Sequence, residues 1–156
     1  MDNNTFKNLL LETAVSAIAC DGSVDEKEIE ALRNIEKNSP YFSSDDLSKD
    51  LGKYLKNCEK NLEKFQSSLF KKIKKAKLNI LQELSLMEIS LRIISADEKE
   101  EEDEINFVKL LRSNLSISDL ILYQRFGKIE YLGILNFEEN FVDFKEKDES
   151  DNITMK

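Results

Sequence analysis

Hydrophobic residues recur along this chain at intervals of three and four, the period of helices buried along one face. The first such stretch predicts a helix from about Asn4 to Cys20, with Phe6, Leu9, Leu10, Thr13, Ala14, Ala17 and Ile18 on its apolar side. Asn4 or Thr5 can cap its start. Ala14, Ala17 and Ala19 leave room for another helix to pack closely. Gly22 can take the left-handed conformation that ends a helix. A second helix carries Ile29, Leu32 and Ile35 and stops near Asn38-Ser39-Pro40. Ser43-Ser44-Asp45-Asp46 then opens a long pattern through Leu47, Leu51, Tyr54, Leu55, Cys58, Leu62, Phe65, Leu69, Ile73 and Ala76. It reads as one long helix or as two broken near Lys60-Asn61.

Leu78 to Ala96 is the most apolar segment. Apolar residues on nearly all sides predict a central buried helix, with Glu83, Glu88 and Arg92 as a narrow exposed strip. A further helix carries Ile105, Phe107, Val108, Leu110 and Leu111 and ends near Ser113-Asn114. Ser116 with Asp119 predicts the cap of a short seventh helix bearing Ile117, Leu120, Ile121, Tyr123 and Phe126. Beyond Gly127, residues from Tyr131 to Phe141 continue as a last helix or an extended piece. From Asp143 the polar, acidic composition predicts disorder. With four glycines and one proline there is little turn punctuation for an all-β fold. The expectation is an all-α bundle of about seven helices. Residues 1–135 would form the domain and residues 136–156 an acidic, partly disordered tail.

The connection between the first two helices occurs twice. Ala19-Cys20-Asp21-Gly22-Ser23-Val24-Asp25-Glu26-Lys27-Glu28-Ile29 aligns with Ser95-Ala96-Asp97-Glu98-Lys99-Glu100-Glu101-Glu102-Asp103-Glu104-Ile105. Asp21 falls on Asp97, Glu26 on Glu102, Glu28 on Glu104 and Ile29 on Ile105. Leu32 then meets Val108 and Ile35 meets Leu111. Each copy is an apolar run, an aspartate, a short acidic turn and a new amphipathic pattern. The sequence therefore predicts helix, acidic turn, helix, used twice.

Composition narrows the chemistry. The net charge of −8 disfavours generic nucleic-acid binding. The chain has no histidine, so the usual general base near neutral pH and the commonest transition-metal ligand are both missing. No nucleophile–base constellation or glycine-rich phosphate loop stands out, so no enzymatic activity is expected. Cys20 and Cys58 lie inside helical patterns and read as reduced thiols of a cytosolic protein. No stretch has the roughly 18 uninterrupted apolar residues of a membrane span, and no signal peptide is visible. The lysines concentrate in the middle of the chain, from Lys49 to Lys77, against the acidic turns. That basic segment suits a solvated helix face, or contact with an anionic surface.

The pattern A-D-G-x-V-x-x-x-E-I, set between helices and repeated about 75 residues on, resembles the tellurite-resistance TerB-like domain family. That domain also occurs in some DnaJ-like co-chaperones. The first copy departs from it at Cys20, where alanine is usual. The second departs at Glu98 and Glu100, where glycine and valine would stand. The likeness runs from about Phe6 to Phe126. It implies a helical bundle with internal pseudo-symmetry, used as a non-enzymatic adaptor in tellurite- or chemical-stress assemblies. The implied partners are proteins of cytoplasmic complexes, including ones peripheral to the inner face of the membrane. It also implies a metal site, with Asp21, Glu28, Asp97 and Glu104 as the corresponding residues. All-oxygen donors suit Ca²⁺ or Mg²⁺. The spacing is not that of an EF-hand. A second reading needs no metal. Asp25 followed by Glu28 is a capping box, and acids in a first turn suit the helix dipole. The acidic face would then serve as a docking surface for protein partners.

Overall fold

A computed structural model of the chain describes residues 3–20, 22, 26–38, 46–96 and 101–135. Those residues form seven α-helices and one short 3₁₀ turn: α1 (Asn3–Ala19), α2 (Glu26–Asn38), α3 (Asp46–Lys60), α4 (Leu62–Ala76), α5 (Ile80–Ile94), α6 (Glu102–Ser113), α7 (Asp119–Phe126) and the turn Glu130–Leu132. The all-α expectation holds. The chain divides into two compact units, residues 1–116 and 117–156. The expected tail, residues 136–156, lies outside the described residues.

In the first unit α1 is the hub. It packs on α5, α3, α4, α6 and α2. Every residue from Leu9 to Cys20 is buried as a result. The sequence pattern assigned the central role to α5, but its first turn is open, with Ile80 at 53% and Leu81 at 71% exposure. The difference is one of residue size. Ala14, Ala17 and Ala19 let neighbours close on α1 from several sides, and a buried polar side chain can be satisfied within the helix. Thr13, for instance, donates its hydroxyl to the Leu9 carbonyl at 2.7 Å within the helix.

The long middle pattern is two helices. Asn61 makes the break, accepting the Lys64 N–H on its side chain at 3.1 Å and so capping α4. Leu69 and Ile73 face inward from α4, and Phe70 stacks on Phe107 of α6 with ring centroids 6.1 Å apart. Asn79 starts α5 with a reciprocal capping box: the Gln82 N–H donates to Asn79 at 2.8 Å, and the Asn79 N–H donates to Gln82 at 3.0 Å.

The repeat is visible in the packing. Helices α1 and α2 correspond to α5 and α6, displaced by 76 positions. Helix α2 packs on α5, and α6 packs on α1, so each second helix leans on the first helix of the other copy. Equivalent residues share burial: Ala14 and Ser90, Ala17 and Ile93, Ile18 and Ile94, Leu32 and Val108 are all at most 1% exposed.

In the second unit Ser118, not Ser116, caps α7, with its hydroxyl accepting the Ile121 N–H at 3.3 Å. The Ser116 N–H is already engaged by Glu83, as described below. Gly127 and Gly133 take positive φ angles of 78° and 74°. Ile129 and Ile134 pair as an antiparallel bridge around the second of these glycines.

Candidate functional site

The two acidic turns deliver their helices in the same register. Helix α2 begins at Glu26 and α6 at Glu102, which are equivalent positions. Glu28 and Glu104 therefore both stand third in their helices. They are also buried, at 2% and 1% exposure, while Glu26, Glu102 and Asp103 are open to solvent. A glutamate in a first turn is normally solvated. These two are drawn inside because each helix leans inward on the other copy. Glu104 uses Oε1 to accept the Glu101 N–H at 2.9 Å, the return half of a capping box. At the first turn Gly22, with φ of 83°, donates its N–H to the Ala19 carbonyl at 3.0 Å and closes α1.

Asp21 and Asp97 lie outside the described residues, as do Asp25, Glu98 and Glu100. Among the described residues no three Cys, Asp or Glu side chains gather closely enough to hold a metal ion. Glu28 and Glu104 thus occupy matched buried positions, and the described acids alone do not form a ligand set.

A family model, tellurite resistance protein TerB, matches residues 9–122. The chain belongs to the TerB family. The match runs from within α1 to the first half of α7, and includes both copies of the acidic turn. No curated protein and no solved structure matches the chain. This TerB-family chain also carries two buried acids that the sequence pattern did not single out. Glu12 is the one charged residue between Leu9 and Cys20. It is 8% exposed and accepts from Lys72 Nζ of α4 at 2.8 Å. The pair lies in a groove of about 420 Å³ between α1, α3 and α4, whose lining includes Leu9, Tyr54 and Lys75. A charge interrupting an apolar run was the signal that could have found Glu12. Its counterpart in the second copy, Glu88, pairs instead within α5, with Arg92 at 3.3 Å.

Glu83 corrects the expected exposed strip of α5. It is 7% exposed, and its carboxylate accepts the Ser116 N–H at 2.9 and 3.2 Å, tying the end of α6 to the start of α5. Both cysteines are free and buried. Cys20 donates its thiol to the Ala17 carbonyl at 3.1 Å. Burial, and then the carboxylate of Glu59, push the Cys58 thiol up to about 11. No described helix is long and apolar enough to cross a membrane.

Proposed function

We propose that this TerB-family chain is a non-enzymatic binding module whose duplicated acidic turns form one divalent-cation site. Asp21 and Asp97 supply the ligands, and Ca²⁺ or Mg²⁺ is the ion their oxygen donors suit. Glu28 and Glu104 hold the turns from inside. The observation that carries this reading is the burial of these two glutamates at equivalent third positions. A purely solvated cap would not need to be drawn out of water in both copies. The Glu104 contact to Glu101 favours a positioning role for Glu104 over direct ligation. The module works as an adaptor in a stress-response assembly, in the cytoplasm or at the inner face of the membrane, with protein partners. Residues 1–135 act as the domain and residues 136–156 as its acidic tail.

Calorimetric titration with Ca²⁺ and Mg²⁺ tests the reading. One ion per chain is expected, with binding abolished by Asp21→Asn or by Asp97→Asn alone. Two equal, independent ions, or no heat with either cation, would overturn a shared site.

The second reading is a metal-free interaction domain. The exposure of Glu101, Glu102 and Asp103 around the start of α6 favours it, because these acids are presented to solvent. It predicts partner binding that weakens with salt and is indifferent to chelators.

A further inference from the structure

We infer that the exposed face of α4 is a docking surface for an anionic lipid bilayer. This inference does not depend on the divalent-cation site. Residues 53–77 hold nine lysines against two glutamates, in a chain whose net charge is −8. On α4 the two faces separate cleanly. Leu62, Phe65, Leu69, Ile73 and Ala76 form the buried and half-buried stripe. Lys64, Ser67, Ser68, Lys71 and Lys75 follow helical spacing on the other side, and all five are exposed. Lys64, Ser67, Ser68 and Lys71, together with Asn61 and Glu63, also line a shallow concavity of about 410 Å³.

These lysines are not explained by the protein itself. Lys72 has Glu12, but among the described residues Lys64, Lys71, Lys74 and Lys75 enter no ion pair. Lys71 stands three and four residues from Lys74 and Lys75, spacings at which like charges repel and weaken a helix. Lys74 and Lys75 lie in the last turn, where the helix dipole welcomes cations. Lys64 and Lys71 gain nothing from it. An external anion would offset the repulsion along the whole stripe.

The kind of cation points to the kind of anion. Residues 46–77 contain no arginine, although Arg33, Arg92, Arg112 and Arg125 occur elsewhere. Arginine's planar fork suits one fixed carboxylate or phosphate, whereas lysine is a flexible point charge. From Lys64 to Lys75 the stripe runs about 16 Å at the helical rise, which addresses a row of headgroups better than one phosphate. It carries no exposed aromatic ring on which a base could stack. The serines between the lysines allow close approach. The acidic remainder of the chain opposes contact, but its field is screened beyond about 8 Å at physiological ionic strength. The local stripe therefore governs attraction to an anionic leaflet.

Co-sedimentation of the full chain with vesicles tests this. Binding is expected to phosphatidylcholine vesicles containing phosphatidylserine, not to phosphatidylcholine alone, and to be released by added salt. Lys64→Gln/Lys71→Gln/Lys75→Gln should weaken it by roughly tenfold or more, with a melting temperature no lower than that of the natural chain. Lys37→Gln/Lys109→Gln, at exposed positions on other helices, should leave it intact. Equal binding to both vesicle types would overturn the proposal. So would equal losses in the two variants, or binding of inorganic phosphate or of an acidic peptide with no binding to vesicles.

Discussion

Glu104 shows how one side chain can be read locally yet acquire a wider role. Its third position in α6 and its contact back to Glu101 follow from spacing within one turn. The same spacing placed Glu28. Their burial was not legible, because it depends on each helix leaning on the other copy. Glu83 was misjudged for the same reason: its partner, the Ser116 N–H, lies 33 residues away. Glu104→Ala should cost at least the ~1 kcal/mol of a lost cap, measured by denaturant unfolding, with Glu104→Gln recovering most of it. Cys58 gives a pH test. Its thiol is raised from 9.0 to about 11 in the folded chain, so the native state holds the proton more tightly. Stability contributed by this group is complete below pH ~9 and falls as pH climbs from there through ~11. Cys58→Ala should flatten that part of a stability-against-pH curve, and in the natural chain Cys58 should resist thiol reagents at neutral pH.

At the scale of elements, the helical period located nearly every helix, since it needs only sequence neighbours. Asn61 settled what the period left open, because a side chain that accepts the N–H three residues on starts a new helix. Asn61→Ala should lower stability by about 1 kcal/mol. Which helix sits at the centre was not legible from hydrophobicity. Helix α5 carries the more apolar sequence, but alanines make α1 the hub. Two substitutions on α5 separate these accounts. Leu86→Ala, at a fully buried position, should cost about 2–5 kcal/mol. Leu81→Ala, at an exposed position one turn earlier, should stay within about 0.5 kcal/mol. Chemical denaturation of the two variants distinguishes a helix buried all round from one open at its start.

At the scale of the molecule, the repeat seen in the sequence is a repeat in packing. Helices α1 and α2 exchange contacts with α5 and α6, and Glu28 and Glu104 are buried at equivalent positions. Charge is divided as well, with acids at the turns and exposed lysines along α3 and α4. The two acidic turns are proposed to act together on one cation. Thermal melts in chelator, then with Ca²⁺ or Mg²⁺, on the natural chain and on Asp21→Asn/Asp97→Asn, test it most directly. Ion at a hundred times its dissociation constant should stabilise the natural chain by about 2.7 kcal/mol and leave the double variant unmoved. No shift with either ion, or an equal shift in the double variant, would contradict the claim.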